Sequence, residues 1–311
     1  MRSALVINPS KGGWEKALEA VTDAAASAGW PAPAVHLTTI AEPGHAQASA
    51  TVADGAQVVI AAGGDGTVRT VAHALAGTGV ELGIVPIGTA NLLAHNLELP
   101  GAVRAAAEVA VQGIARPLDL GLARVDDEVR DHPFVVLAGI GHDAATVAAT
   151  RPGLKDRIGW PAYLAPAARS ALRRPVPMTV RHDDGPEQHV LAWSVLAANC
   201  TRVRAGVAIA PGGLVDDGLF DVVEVRVRWP GQWVGVAARG FGWRREVTGL
   251  RTRPSRELSV TSSQPVHVQL DGDVLGPATR LDVRCLRHAL AVRTGRPEGR
   301  AATSATPTDP D

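Results

Sequence analysis

The residues best suited to chemistry form a glycine-rich motif, Gly-Gly-Asp-Gly-Thr, at Gly63–Thr67. The motif directly follows an apolar run and directly precedes an amphipathic stretch, which predicts a strand-to-helix turn. Glycines let a backbone approach a phosphate, and the free N–H groups at a helix start favour negative charge. Asp65 then fits a role beside a metal ion, a sugar hydroxyl or a proton in transfer. The alternative is an ordinary glycine-rich turn in which Asp65 caps the helix.

Two further loops are candidates for the same site. Asn8–Gly13 reads NPSKGG and Gly88–Asn91 reads GTAN, and each follows an apolar run. We interpret these runs as parallel strands, whose carboxyl ends form the ligand-binding edge of an α/β sheet. The P-loop pattern GxxxxGK[ST] and the pattern GxGxxG are both absent from the sequence, which disfavours a Walker NTPase and a dinucleotide Rossmann enzyme.

The first 120 residues alternate short apolar runs with alanine-rich helical stretches. This alternation predicts a parallel α/β sheet. The predicted strands are Ala4–Ile7, Val35–Leu37, Val58–Ala62 and Leu82–Pro86, and the predicted helices are Trp14–Ala28, Gly44–Ala53, Val68–Ala76 and Leu92–Asn96.

After about residue 120 the pattern changes to strands with alternating apolar and polar residues. Leu219–Arg228 puts valines on one face and charged residues on the other, as a half-buried antiparallel strand does. Val176–Arg181, Val266–Leu270 and Leu281–Cys285 behave alike, with helical stretches near 155–174 and 230–246. We therefore predict an α/β domain over 1–122, a β-rich domain over 123–294 whose last strand is a candidate to return to the first domain, and a disordered tail over 295–311 rich in Pro, Ala, Thr and Ser.

Composition excludes several classes of protein. The 311 residues are 46% hydrophobic and 20% charged, with 31 basic and 31 acidic side chains, which is a globular composition. A zero net charge argues against a uniformly basic nucleic-acid binder. Two cysteines exclude a disulfide scaffold and a cysteine-based zinc site. No apolar run approaches the roughly 20 residues of a spanning helix, and the apolar run at the N-terminus is too short for a signal peptide, so we expect a cytoplasmic protein.

The three loops together resemble the diacylglycerol kinase catalytic-domain family, the bacterial lipid kinases related to NAD kinases. The resemblance rests on a colinear series of motifs over roughly residues 4–293, far more specific than any single motif. Beyond NPSKGG, GGDGT and PIGTANLLAHNL, the series continues through Pro117–Gly121, Gly139–Ala144, Ala210-Pro211, Asp216–Asp221 and Leu270–Asp273. It implies an ATP site between an N-terminal, NAD kinase-like α/β domain and a C-terminal β-sandwich.

The resemblance also implies which residues hold the nucleotide. Carried over position by position, they are Asn8, Thr39, Gly64, Asp65, Gly66, Thr67, Thr89 and Asn91. Thr39 is the weakest of these, because its spacing to Gly44-His45-Ala46 is one residue longer than the family pattern.

Three acidic residues are implied as catalytic. Asp273 stands where the family has the general base for the lipid hydroxyl, although the family usually has Glu there. A carboxylate still suits the task, since phosphoryl transfer needs mainly positioning and charge neutralisation. Asp65 is the second candidate. Asp119 matches an acidic family position facing the cleft, and a turn residue is its alternative.

The segment Asp216–Asp221, DDGLFD, matches a family site for a structural magnesium ion. There the side chain of Asp217 would join the backbone carbonyls of Leu214 and Leu219. All-oxygen ligation with retained waters is what Mg²⁺ prefers. A β-turn rich in Asp and Gly is the alternative interpretation.

Two stretches fit docking at a membrane surface, where a lipid kinase meets its substrate. Residues 226–256 hold eight arginines and one glutamate together with Trp229, Trp233, Phe241 and Trp243, and residues 151–174 hold six basic side chains and one acidic with Trp160 and Tyr163. Trp and Arg suit the headgroup boundary. A solvated basic face with core tryptophans is the alternative.

The sequence thus predicts a kinase that uses ATP and Mg²⁺ to phosphorylate a lipid hydroxyl, peripheral to the membrane and without a nucleic-acid partner. Two alternatives stay open. One is a kinase for a soluble substrate, such as NAD kinase, which shares GGDGT. The other is a catalytically weak lipid-binding relative, suggested by Asp rather than Glu at Asp273. The acceptor lipid and the oligomeric state are not specified by the sequence.

Overall fold

The structure is a computed structural model, and it describes residues 1–143, 171–201, 209–210, 212–240 and 247–295. Most of the helical stretch predicted near 155–174, the end of the one predicted over 230–246, and the predicted tail beyond Gly295 lie outside these residues. Among the described residues, no helix has both the length and the apolar character that crossing a bilayer requires.

The N-terminal part alternates strands and helices, as the sequence predicts. Its elements are β1 (Ser3–Ile7), α1 (Trp14–Ser27), β2 (Ala34–Leu37), α2 (His45–Ala53), β3 (Val58–Gly63), α3 (Asp65–Leu75), β4 (Glu81–Pro86), α4 (Leu92–Asn96) and α5 (Val103–Gln112). Every residue of β1 and β3 is buried, because helices cover both faces of the sheet. The helix α1 buries Ala17, Val21, Ala24 and Ala25, which share one face at helical spacing.

These strands pair in parallel in the order β4, β3, β1, β2. Their carboxyl ends therefore lie side by side, and the loops that follow β1, β3 and β4 emerge at one edge. Those loops are NPSKGG, GGDGT and the turn at Gly88–Asn91. The sheet thus brings together the three glycine-rich segments that the sequence analysis grouped.

The C-terminal part is antiparallel and strand-rich. Its elements are β5 (Ile114–Val125), β6 (His132–Phe134), β7 (Leu137–Gly141), β8 (Val176–His182), β9 (Gln188–Ala192), β10 (Ser194–Ala198), β11 (Phe220–Val225), α6 (Gln232–Gly240), β12 (Leu250–Ser255), β13 (Glu257–Leu270) and β14 (Asp273–Thr294). Alternate residues of β8 are buried, which matches its half-buried sequence pattern. Phe134 and Phe220 lie in the core with ring centroids 5.3 Å apart.

The strand β14 connects the two parts. It pairs antiparallel with β13 and β5 and then runs parallel to β4 at Ala291 and Val292. Between Leu286 and Leu290 the register with β5 shifts, which marks a bulge. The strand β14 therefore belongs to both parts, and its hydrogen bonds join the β-rich part to the parallel sheet.

Several elements differ from the sequence predictions, among them α3, α5 and the strand predicted over Leu219–Arg228. The helix α3 starts at Asp65 rather than Val68, because Gly64 is its N-cap and the motif itself forms the first turn. The helix α5 was not predicted, although it buries Ala106, Ala107, Ala110 and Val111. The strand predicted over Leu219–Arg228 ends at Val225, where its pairing with β12 stops at Leu250.

Candidate active site

Two glycine-rich loops touch through their backbones at the edge of the parallel sheet. A Cβ atom on Gly88 would collide with the Cα atom of Gly64, and a Cβ atom on Gly63 would lie 2.5 Å from the Cβ atom of Thr67. Side chains at these positions are therefore excluded by the close approach. The result is a helix start whose first backbone N–H groups have no intrahelical acceptor and whose N-cap, Gly64, has no side chain to cap them.

The loop after β1 is tied to this helix start by Asn8. The Asn8 side-chain amide donates to the Thr67 hydroxyl at 3.3 Å, and its carbonyl oxygen accepts from the Ser10 N–H at 3.0 Å. The Lys11 Cε atom lies 4.0 Å from the position that a Cβ atom on Gly64 would take. Lys11 belongs to the NPSKGG motif but was not among the residues predicted to hold the nucleotide. A lysine in a glycine-rich loop after β1 was the signal that could have singled it out.

Asp65 anchors the loop after β4 rather than capping its own helix. Its Oδ1 atom accepts the backbone N–H of Leu92 at 2.5 Å, at the start of α4. Burial raises the pKa of the Asp65 carboxyl, and backbone N–H groups at Leu92, Leu93 and Asn91 oppose that rise. This oxygen is therefore already engaged by the protein, and Asp65 joins the GGDGT turn to the Gly88–Asn91 turn.

The remaining predicted nucleotide residues are spread along this edge. The Asn91 side chain closes its own turn, accepting from the Gly88 N–H at 3.0 Å and donating to the Gly88 carbonyl at 2.8 Å. Thr89 is exposed at the tip of that turn. Thr39 lies in an exposed turn after β2, where its hydroxyl accepts the Glu42 N–H. The contacts thus bring together Asn8, Gly64–Thr67 and Asn91, whereas Thr39 belongs to a separate turn.

In the C-terminal half of the chain, Leu270–Asp273 forms a two-residue hairpin between β13 and β14. Asp271 and Gly272 both have positive φ, of 51° and 87°, as the Asp-Gly pair of a type I′ hairpin requires. The buried Asp271 carboxylate accepts three backbone N–H groups, from Val135 at 3.0 Å, Val136 at 2.8 Å and Leu137 at 2.9 Å. Burial nevertheless raises the pKa of Asp271. Sequence reasoning missed this residue, although Asp-Gly between two apolar runs is a hairpin signal.

Asp273 is the exposed carboxylate of this hairpin, with 63% of its side chain accessible. Its Oδ2 atom accepts from the Arg69 Nη2 atom at 2.7 Å, and the Arg69 Nη1 atom donates to the Leu270 carbonyl at 3.0 Å. Arg69 lies on α3, one helical turn after Asp65. The carboxylate predicted as the base is therefore tied directly to the helix that begins in the GGDGT motif.

Asp119 does not face an open cleft, which corrects the location expected from the sequence. It lies in β5 with no exposed surface, so it is not a turn residue either. Its two carboxylate oxygens accept the backbone N–H groups of Gly218 at 2.6 Å and His288 at 2.7 Å. His288 lies in the β14 bulge, whose backbone groups leave the ladder and need other partners. Asp119 therefore supports a bulge and a loop, and its oxygens are engaged.

The loop over Asp216–Asp221, which was predicted to hold magnesium, is tied to Asp119 through the Gly218 N–H. His288 Nε2 lies 2.6 Å from the Asp216 carbonyl oxygen, and Asp217 Oδ1 accepts the Leu219 N–H at 3.0 Å. Asp217 is exposed and Leu214 is 60% exposed. Within the described residues, no group of three or more His, Cys, Asp and Glu side chains could hold a metal ion. One exposed carboxylate with backbone carbonyls is still an all-oxygen donor set, which fits a magnesium ion that keeps several waters.

Two family models match the chain. Residues 2–123 match the diacylglycerol kinase catalytic domain, and residues 135–294 match the YegS C-terminal NAD kinase beta sandwich-like domain. The chain is 29% identical over 250 residues to the uncharacterized protein sll0036 of Synechocystis sp., covering 77% of this chain and 55% of that protein. It therefore spans about half the length of that relative.

A second relative matches over most of both chains. The probable lipid kinase YegS-like of Xanthomonas axonopodis pv. citri is 35% identical over 240 residues, covering 71% of this chain and 74% of that protein. Among solved structures, a diacylglycerol kinase from Bacillus anthracis str. Sterne aligns with a TM-score of 0.72 and 18% identity, covering 94% of this chain and 97% of that one. The likeness establishes the fold as an NAD kinase-like α/β part with a C-terminal β-sandwich. The chain therefore belongs to the diacylglycerol kinase family of lipid kinases.

Proposed function

We propose that the protein transfers the γ-phosphoryl group of ATP to the hydroxyl of a diacylglycerol-like lipid. The observation that supports this most strongly is the exposed Asp273 carboxylate, which Arg69 ties to the helix beginning in GGDGT. A phosphate-binding turn and a proton acceptor are the two elements that phosphoryl transfer to a hydroxyl needs. Here they belong to the two halves of the chain and are joined by one ion pair.

The triphosphate would lie against the start of α3. The N–H groups of the first turn have no intrahelical acceptor and favour negative charge, and Lys11, whose Cε atom lies 4.0 Å from a Cβ position on Gly64, would add a cation. Asn8 and Asp65 would hold the neighbouring loops in place, since the Asn8 Oδ1 atom accepts the Ser10 N–H and the Asp65 Oδ1 atom accepts the Leu92 N–H. This turn therefore binds and orients the donor.

The acceptor hydroxyl would lie against Asp273. The carboxylate takes the hydroxyl proton as the oxygen forms its bond to the γ-phosphorus, and the bond from that phosphorus to the bridging oxygen breaks, so that ADP leaves. Mg²⁺ bound with ATP would neutralise the phosphate charge. A separate structural Mg²⁺ would be held by Asp217 with the carbonyls of Leu214 and Leu219.

The test is phosphoryl transfer by purified wild type and Asp273→Asn, with diacylglycerol, a sphingoid base and NAD offered side by side. Asp273→Asn keeps the shape and removes the proton acceptor, so we expect turnover to fall by about 10²–10⁴-fold with nucleotide affinity retained. Asp282→Asn is the matched control, because Asp282 is also on β14 and also pairs with an arginine, Arg280. Wild-type turnover in Asp273→Asn contradicts its role as the base.

The same panel separates the alternatives. Transfer to NAD and to neither lipid would establish the soluble-substrate kinase instead. Lipid binding by the wild type with no transfer to any acceptor would establish the catalytically weak relative. Transfer to a lipid is the result we expect.

We further propose that the protein docks on a membrane, where it meets its lipid substrate. The docking surface is formed by Leu172, Trp229 and Val234. These apolar side chains are 70%, 60% and 75% exposed. They belong to neighbouring segments, because Trp233 on α6 donates from Nε1 to the Ala171 carbonyl at 2.9 Å and packs on Trp193. Of the two tryptophans of the 226–256 stretch that the structure describes, Trp229 is exposed and Trp233 is partly buried against the core.

The docking surface is tested with vesicles and the Trp229→Ser, Val234→Ser variant. We expect weaker sedimentation with anionic vesicles and lower activity on vesicle substrate, while activity on a detergent-dispersed short-chain substrate stays near wild type. High salt should weaken wild-type binding, since Arg228 and its neighbours act over a Debye length of about 8 Å. Equal losses on both substrates would contradict docking. Arg244 and Arg245, also in the predicted stretch, lie outside the described residues.

A further inference from the structure

Arg69 is a cation placed at the junction of the two halves of the chain. It belongs to α3, and its side chain is only 17% exposed although it carries a charge. Its partners, Leu270 and Asp273, are more than 200 residues away along the sequence. No motif of the sequence includes Arg69, so its role can be read only from these contacts.

The guanidinium of Arg69 forms hydrogen bonds to both ends of the Leu270–Asp273 hairpin. Nη1 donates to the Leu270 carbonyl at 3.0 Å while Nη2 donates to Asp273 Oδ2 at 2.7 Å. The planar guanidinium fixes these two donors relative to each other, which a lysine ammonium does not do. One side chain therefore contacts both the carbonyl at the start of the turn and the carboxylate at its end.

The rest of the hairpin is fixed from inside the β-rich part. Asp271 accepts the three N–H groups of residues 135–137, and Gln269 Oε1 accepts the Gly272 N–H at 2.9 Å. These bonds hold the backbone of the turn but do not touch the Asp273 carboxylate. The ion pair with Arg69 is thus the contact that relates this carboxylate to α3.

We propose that Arg69 is a positioning residue for phosphoryl transfer, holding the Asp273 carboxylate toward the phosphate-binding start of α3. The inference rests on the proposed function, in which Asp273 takes the proton of the acceptor hydroxyl. In addition, a residue of the N-terminal half, Arg69, would orient the carboxylate that takes this proton. The short Asp273 side chain relies on that external contact for its orientation.

The expected consequence is a loss of turnover without a loss of nucleotide binding. Arg69→Met should lower kcat by about 10–100-fold, since a misplacement near 1 Å costs about 10²-fold in rate. The nucleotide KM, and the Kd of a non-hydrolysable ATP analogue, should change by less than about twofold. Arg69→Lys should recover part of kcat, because an ammonium can pair with Asp273 but cannot also fix the Leu270 carbonyl.

A double-mutant comparison tests whether Arg69 acts through Asp273. In the Asp273→Asn background, Arg69→Met should reduce kcat no further, because the group that it orients has already lost its function. Arg104→Met is the matched control: Arg104 is an exposed arginine on α5 that pairs with Glu108. It should leave kcat unchanged.

A second measurement does not depend on turnover. Hydrogen exchange of the hairpin amides at residues 270–273 should be faster in Arg69→Met than in wild type and unchanged in Arg104→Met. Unchanged hairpin exchange would overturn the proposal even if no acceptor is phosphorylated. Absence of wild-type transfer to every acceptor, with faster exchange in Arg69→Met, would overturn the proposed function and leave the positioning contact supported.

Three kinetic results would overturn the proposal while leaving the proposed function intact. A wild-type kcat in Arg69→Met is the first. The second is a raised nucleotide KM with unchanged kcat, which would make Arg69 a phosphate ligand. The third is a further loss of kcat on adding Arg69→Met to Asp273→Asn, which would make its effect independent of that carboxylate.

Discussion

The GGDGT turn and the Leu270–Asp273 hairpin are held to distant segments in the same way, but one exposes hydrogen-bond donors and the other exposes a carboxylate. Each has an Asp-Gly pair whose carboxylate accepts backbone N–H groups of a distant segment: Asp65 at the start of α4, and Asp271 at residues 135–137. The turn then offers N–H donors at the start of a helix, which suit an anion. The hairpin offers the exposed carboxylate of Asp273, which suits a proton.

An aspartate in a glycine motif can thus join distant segments through backbone hydrogen bonds, whatever chemistry it also performs. Asp65, Asp119 and Asp271 all accept hydrogen bonds from backbone N–H groups. Asp217 and Asp273 are the exposed members of the five. Asp217 also accepts a backbone N–H and Asp273 pairs with Arg69, but these two carboxylates are the ones that also face solvent.

The largest expected effect separates the two aspartates of the hairpin by stability. Asp271→Ala leaves three buried N–H groups without their acceptor, at about 1–3 kcal/mol each. We therefore expect the free energy of unfolding in urea to fall by at least about 3 kcal/mol. Asp273→Ala removes a largely exposed ion pair and should change it by about 0–1 kcal/mol. Similar losses in the two variants would contradict the division into anchor and exposed carboxylate.

The next effect tests the anchor of the phosphate-binding turn. Asp65→Ala removes the hydrogen bond from the Leu92 N–H, so the start of α4 is no longer held against the GGDGT turn. Turnover should fall by at least about 10²-fold. Stability should fall by only about 0.5–2 kcal/mol, the usual range for a lost helix cap.

Asp65→Asn is the matched variant, since its amide oxygen can still accept the Leu92 N–H. It should retain much more turnover than Asp65→Ala. Equal turnover in Asp65→Asn and Asp65→Ala would point to the charge of Asp65, and hence to a metal or proton role, rather than to its hydrogen bond.

Local features of the fold could be predicted from sequence, and distant partners could not. Strand and helix periodicity located the α/β elements, because each pattern reports the burial of its own face. The turn at GGDGT was predicted because glycine spacing is local. The hydrogen-bond partners of Asp65 and Asp119 were not, since they lie 27, 99 and 169 residues away along the sequence.

The missed residues have the same explanation. Arg69 has no motif around it, and its partner Asp273 is 204 residues distant. Asp271 was part of a quoted motif, but the N–H groups that donate to its carboxylate come from the turn between β6 and β7 and from the first residue of β7. Only the folded pairing of β13 with β7 brings that turn beside the hairpin.

A smaller effect concerns the exposed Asp217 beside the buried Asp119. A cation that binds only the folded protein stabilises it by mass action. Chelation should therefore lower the melting temperature of the wild type, by about 2–4 °C for each kcal/mol of binding. Asp217→Ala should show no such shift. Equal shifts in wild type and variant would contradict the cation site and favour a simple Asp-Gly turn.

The smallest effect tests the packing between the two halves through His73 on α3. Burial lowers the pKa of His73 below its ordinary value of 6.5, and the positive charges of His45 and Arg130 lower it further, while Asp131 opposes them. The folded protein then binds fewer protons here than the unfolded chain, so stability is full above pH 6.5 and falls as the pH drops below it. Because the ring is partly exposed, the loss should stay below about 1 kcal/mol. His73→Gln should flatten this part of the profile of unfolding free energy against pH between 7 and 5, and an unchanged slope would show that the protons are taken up elsewhere.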